Sequence, residues 1–559
     1  MKKIFLAVLM ISFIVILIGC GPNAEEKELQ NFITTHLEKI KPLSKKANLA
    51  YWKAANTGKS EDYDKYSNLE LEMRKIYSDT SDFKILKELK ASGQIKNHLL
   101  ARQLDVLYNS YLENQIEPTL LKQIVDLSSK VEKNFSNFRP EIHGKKMTNN
   151  EIDEILKKET DSRKRKDAWL ASKQVGPVVA DDIIHLVKLR NKAAVKLGFD
   201  NFHTMSLTTA DQKVDELDQI FAELYDLTQQ PFAKLKTELD SILAENYGVG
   251  VEGLMPWHYH DPFFQEAPLV YNLDLDAYYK DKDVKELARK FYAGIGMPVD
   301  SILAKSDLYE RKGKNPHAFC TDIDREGDVR ILANLKNNER WMETILHELG
   351  HAIYDKYEDP KTPYLLRTPA HIFTTEGIAM FFGRLSRNGA WMQEMLGLSD
   401  RDRKEIDKVS VKYARMKQLI FARWAMVMYN FEKELYANPD QDLDALWWQM
   451  VEKYQLVKKP KGRTAPDWAA KIHFTIAPCY YHNYLLGEMF ASQLHYYLVH
   501  NVLMLNSDKD VSYVNQIKAG SYIHDHVFKA GAIYRWNEMI RRATGEPLTA
   551  KYFVEQFVK

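Results

Sequence analysis

Apolar residues recur at helical spacing along almost the whole chain, and only one stretch alternates as a strand should. From Glu25 to about Lys133 charged and apolar residues interleave with an α-helical period, as in Leu99, Leu100, Leu104, Leu107 and Tyr108. The exception is 328–335, DVRILANL, in which Val329, Ile331 and Ala333 alternate. The expected fold is mostly α, with a short β element. Pro140 and Gly144 interrupt the pattern between 137 and 150, which reads as a loop or hairpin inside one domain. The aromatic, proline-rich stretch 252–268 separates two helical blocks and reads as an ordered core loop. No repeat of solenoid period is visible. Three cysteines, Cys20, Cys320 and Cys479, cannot staple 559 residues, so a hydrophobic core must hold the chain together. Lys and Arg number 78 against 77 Asp and Glu, a balance of +1 that excludes electrostatic binding of nucleic acid.

The first residues are of a different kind. Lys2 and Lys3 precede an apolar run from Ile4 to Ile18 that is too short to span a bilayer comfortably, and Gly19-Cys20 follows. Leu17-Ile18-Gly19-Cys20 resembles the lipobox of bacterial lipoproteins. That resemblance implies a signal peptide over 1–19, a lipid anchor on Cys20, and a chain from 20 to 559 held on the bacterial cell envelope, facing outside the cytoplasm. Loss of 1–19 removes two lysines, so attachment would come from acyl chains rather than from a basic patch.

His347-Glu348-Leu349-Gly350-His351 fits H-E-x-x-H inside an apolar, helix-compatible stretch from Trp341 to Tyr357. Four residues make about one turn, so both imidazoles share a face and can bind one zinc ion. Glu348 beside them can take a proton from a water on that ion. The third ligand expected is Glu376, 25 residues after His351. Pro360, Pro363 and Pro369 break the chain between them, and a second helix starts near His371 to Thr375. It carries Glu376 into Gly377-Ile378-Ala379-Met380-Phe381-Phe382, too apolar for an unpaired carboxylate but suited to one that meets a metal.

These residues resemble the angiotensin-converting enzyme family of zinc peptidyl-dipeptidases, in which H-E-x-G-H is followed by a glutamate ligand on the next helix. His317-Ala318-Phe319-Cys320, 30 residues before the motif, is similar to the family's His-Ala substrate segment. Lys471-Ile472-His473 and Tyr480 are similar to its K-x-H and tyrosine cluster. Trp536 to Phe557 and Ala47 to Tyr51 extend the likeness over the mature chain. The resemblance implies a gluzincin-like helical body with a deep cleft between two halves, and DVRILANL as the edge strand on which a peptide lies beside Ala318. It implies that His317 and His473 bind substrate carbonyls, and that Lys471 holds the terminal carboxylate. Counted from His473, the family's oxyanion tyrosine falls on Asn483, so Tyr484 takes that role if the register shifts by one. Tyr480 and Tyr481 then compete for the contact with the carboxylate. The family's carboxylate-binding glutamine is not evident after Trp257, its chloride-linked arginine falls on His482, and its aspartate behind the metal is replaced by Met380.

The function expected is hydrolysis of short peptides with one Zn2+ per chain, releasing C-terminal dipeptides. The alternatives are a thimet-like oligopeptidase that cuts internally and a lipoprotein that binds peptides without cleaving them. Cys320 and Cys479 are expected near the cleft as a disulfide or as two free thiols; spacing does not choose, and the resemblance, which places non-cysteine residues at both positions, favours free thiols.

Overall fold

The computed structural model describes residues 21–271, 274–509 and 511–558; the signal and lipid-anchor expectations for 1–19 and Cys20 lie outside them. Among the described residues no helix is long and apolar enough to cross a membrane. The protein is mostly helical, as its periodicity predicts. Its first 115 or so described residues form the helices Ala24–Thr57, Ser60–Tyr77, Thr80–Ser92, His98–Glu113 and Pro118–Asn137. Polar residues start them: Asn23 and Glu26 form a reciprocal capping box, and Asp79 and Asn97 each accept backbone N–H groups of the first turn. The break after 137 is a small hairpin, Glu141–Ile142 against Lys145–Lys146, turned by His143 and Gly144 at φ 50° and 82°.

Five elements position the site: β1 (Phe319–Asp322), β2 (Val329–Leu332), α1 (Glu339–Lys356), α2 (Ile372–Gly383) and α3 (His482–Tyr497). β1 and β2 pair antiparallel with Cys320 opposite Ile331 and Asp322 opposite Val329. The expectation that DVRILANL is the free edge is corrected here. On its far side the Ile331 carbonyl accepts from Asp307 N–H at 2.9 Å, and Ala333 and Leu335 donate to the carbonyls of Asp307 and Leu308. That strand is flanked on both sides, and β1, which carries Cys320 after Ala318, has the open edge.

The three helices pack closely because glycines lie where they cross. A Cβ on Gly350 would stand 2.7 Å from the Ala379 Cα, and one on Gly377 would stand 2.7 Å from Phe490 Cδ1 and 2.9 Å from the Gly487 carbonyl. One hydrophobic core runs from Val131 to Phe557 around them, and a smaller one lies among the first helices, with Leu29, Leu86 and Leu104. The first helix is tied to the β1–β2 turn by Lys45–Asp324 at 2.9 Å and by Asn48 on the carbonyls of Asp322 and Ile323. Gly350→Ala should force α1 and α2 apart, cost about 1–3 kcal/mol and lower the melting temperature. A thermal melt that matches the parent protein would contradict this account of the crossing.

Candidate metal centre and peptide cleft

Asn338 caps α1 by accepting the Trp341 N–H at 3.0 Å, and His371 caps α2 through the Phe373 N–H at 3.2 Å. These two starts set which side chains face each other across the Gly350 contact. His347 Nε2 and His351 Nε2 come to 3.2 Å, and Glu376 Oε2 stands 3.7 and 3.9 Å from them. Ligands about 2.0–2.1 Å from a tetrahedral ion lie roughly 3.3 Å apart, so the three atoms fit around one zinc ion. Among the described residues no other group of three or more His, Cys, Asp or Glu side chains converges in this way.

Electrostatics favour the same assignment. Burial pushes His347 down to about 4 and His351 well below its ordinary value, which leaves both imidazoles neutral with lone pairs available. Burial, reinforced by the charge of Glu488, raises Glu376 to about 7. Burial and then the charge of Glu376 raise Glu348 to about 8, against a hydrogen bond from the Cys320 backbone. Carboxylates crowded beside neutral imidazoles are a site that a divalent cation relieves, because its charge opposes the upward shifts of the carboxyls and keeps the imidazoles unprotonated. His351 Nδ1 lies 2.7 Å from Thr375 Oγ1, a contact that orients the ring and leaves Nε2 toward Glu376. Thr375 therefore does what Met380 cannot. Nothing in the sequence marks Thr375 except its place directly before Glu376.

A cavity of about 590 Å³ opens over this group and is walled by Ala318 and Cys320 of the β1 edge, by Glu348, and by Tyr484 from α3. Glu348 is 8% exposed and next to His347 of this cluster, where the motif places it. Tyr484 faces the cavity, and burial followed by the charge of Glu376 raises its phenol above the ordinary value. Asn483 is buried and accepts from Gln212 Nε2 at 2.8 Å, while His482 contacts Gln212 Oε1 at 2.9 Å. Cys479, four residues before Asn483, sits at φ 56° with its N–H on Glu432.

Lys471 lies deeper and is 8% exposed. Its ammonium stands 5.1–5.4 Å from the ring centres of Phe263, Trp424 and Tyr481 and donates to Gln265 Oε1 at 2.6 Å. Burial lowers it to about 8. Tyr481 thus sits beside Lys471, whereas Tyr480 packs on Tyr484 and feels the charge of Glu376. The ring of Tyr481 also touches His473 at 5.1 Å and Tyr484 at 5.6 Å, which links the cavity to Lys471. His473 keeps a buried Nδ1 without a partner. His317 is not brought into this group: its side chain is exposed in the turn before β1, and only Ala318 beside it reaches the cavity wall. Cys320 and Cys479 are both free thiols, held protonated by burial.

Gln265 escapes a reading of the sequence because a loop delivers it. Asp261 accepts from the N–H groups of Phe263, Gln265 and Glu266 at 2.8–3.2 Å, and His260 and Phe264 take φ 69° and 52°, so the chain doubles back toward Lys471.

A model of the angiotensin-converting enzyme family matches residues 23–260 and 265–558. The chain belongs to that family. The unmatched residues, 261–264, are the loop that brings Gln265 to Lys471. Among curated relatives of this family member, an inactive angiotensin-converting enzyme-related protein of Caenorhabditis elegans is 21% identical over 368 residues, 58% of this chain and 40% of the relative. Thermostable carboxypeptidase 1 of Pyrococcus furiosus is 22% identical over 270 residues, 43% of this chain and 51% of the relative. The chain thus spans about half or less of the curated relatives it matches. The family is one of metallopeptidases, and its mostly helical architecture is the one found here.

Proposed function

We propose that the protein is a zinc peptidase of the peptidyl-dipeptidase type, with His347, His351 and Glu376 as ligands to one Zn2+. The observation that carries this reading is their convergence beside Glu348, in a cavity edged by an open strand. Zinc bound there supplies Lewis acidity and a water of lowered pKa. The chain does the rest. β1 takes an extended peptide as an added strand, with Ala318 and Cys320 along it. Glu348 takes the proton of the attacking water and passes it to the leaving amine. Tyr484 donates its phenolic O–H to the oxyanion of the scissile carbonyl. His473 offers a hydrogen bond to a substrate carbonyl, and His317 does so if the turn before β1 closes on the peptide. Lys471, with Gln265 and Tyr481, receives the terminal carboxylate and so measures the cut from the C-terminus. Tyr480 supports Tyr484 by packing.

The remainder of the proposal concerns place. Residues 20–559 form the catalytic domain, and Cys20 anchors it by lipid to the bacterial cell envelope, where short peptides are the substrates. A thimet-like oligopeptidase and a non-catalytic peptide receptor are the rivals. Purified protein should hold about one zinc per chain. Mass spectrometry of products from one peptide, offered as free acid and as amide, should find dipeptides released from the acid alone. Internal cuts insensitive to amidation would favour the oligopeptidase, and tight binding of intact peptide with zinc present would favour the receptor.

A further inference from the structure

We infer that Asp355 selects substrates with a basic side chain, lysine or arginine, within two residues of the bond that is cut. The inference rests on the peptidase reading and adds a substrate class to it. Asp355 follows His351 by four residues on α1, so it stands about 6 Å farther along the same face. Its carboxylate lines the 590 Å³ cavity that contains the metal ligands. It belongs to no group of metal-ligating side chains among the described residues, and it makes no hydrogen bond or ion pair there.

Burial and then the charge of Asp322 hold the Asp355 carboxyl well above its ordinary range, and Glu358 is a further buried acid that feels it. A zinc ion is balanced by Glu376 and Glu348. No Lys or Arg lines the cavity wall. The cation whose field Asp355 feels is Arg325, and that guanidinium is turned to the Tyr364 carbonyl at 3.4 Å and stands 5.4 Å from the Tyr364 ring centre. Asp322, at the end of β1, is a second acid on the same side, itself raised by burial, with one oxygen occupied by the N–H groups of Asp324 and Arg325. A carboxylate half withdrawn from water without a partner is costly, and a cation from outside removes that cost.

The substrate supplies that cation at a fixed distance. A peptide added to the open edge of β1 advances about 3.3 Å per residue, so side chains within two residues of the scissile bond stand within about 7 Å of it, and Asp355 is one helical turn from His351 in the same cavity. Phe319, Ile372 and Met380 in the same wall give the aliphatic stem of lysine or arginine an apolar surface, while the charged head meets Asp355.

The test uses pairs of quenched fluorescent peptides that differ only by lysine or norleucine at each position within two residues of the cut. In the parent enzyme kcat/KM should favour lysine by about tenfold or more at one position, and the preference should shrink as salt rises. The ratio, taken within each variant, should fall to about one in Asp355→Asn and should turn toward a glutamate peptide in Asp355→Lys. A parent ratio near one at every position overturns the inference, as does an unchanged ratio in Asp355→Asn. If neither peptide is cut, the peptidase reading fails, and the inference is then decided by binding to the zinc-loaded Glu348→Gln protein. Fluorescence anisotropy there should give the lysine peptide about tenfold tighter affinity, and equal affinities overturn the inference.

Discussion

Replacing Glu348 with glutamine is expected to lower peptide hydrolysis by about a thousandfold while leaving about one zinc per chain bound. Glutamine has the shape of glutamate and keeps a carbonyl oxygen for the Cys320 N–H that contacts Glu348. It also leaves His347, His351 and Glu376 untouched at their separations of 3.2–3.9 Å. What disappears is the carboxylate beside the histidine pair that is placed to carry a proton from water to the leaving amine. Metal content by mass spectrometry and kcat on a short peptide check the two halves separately. Undiminished hydrolysis would remove Glu348 from the mechanism. Loss of zinc together with activity would instead make it part of the metal's support. A protein that only binds peptides has no use for a carboxylate here, so an unchanged peptide affinity with no parent hydrolysis would point to the receptor.

Much of this site is legible in the sequence because helices report themselves locally. One turn separates His347 from His351, proline ends one helix, and an acid in an apolar helix start marks Glu376. None of these needs knowledge of a distant partner. The parts that were not legible depend on contacts between distant segments. β2 shows through alternation because Val329 and Ile331 are buried on one face with half-exposed Arg330 between them on the other, although Leu332 is buried as well. Phe319, Cys320, Thr321 and Asp322 are all half-buried, so β1 has no alternation to read even though it holds the open edge. Gln265 reaches Lys471 only because Asp261 folds four residues back on themselves. Tyr484 lines the cavity while Asn483 is turned to Gln212, a contact between distant segments that a count from His473 cannot detect. His317 shows the opposite limit. The resemblance implies a substrate contact for it, and its side chain is exposed and not part of the cavity wall.

Lys471→Met should separate recognition of the terminus from hydrolysis itself. Methionine keeps a flexible apolar stem among Phe263, Trp424 and Tyr481, so packing is largely preserved while the ammonium is lost. Truncating one partner of a buried charge pair costs about 2–5 kcal/mol, which corresponds to roughly 30-fold to several-thousandfold in kcat/KM. That loss is expected for a free-acid peptide and not for its amide, and the difference between the two in both proteins isolates the ammonium–carboxylate coupling. pH gives the same contrast. Burial lowers Lys471 to about 8, so in the free enzyme the ammonium is charged below that pH and is lost as pH rises through it. kcat/KM for the free acid should therefore fall above about pH 8 in the parent protein, a fall absent for the amide and absent in Lys471→Met. An equal loss on both peptides would make Lys471 a structural residue of the ring cluster. No loss on either would move the recognition of the C-terminus elsewhere in the cleft and leave internal cleavage as the better account of the activity.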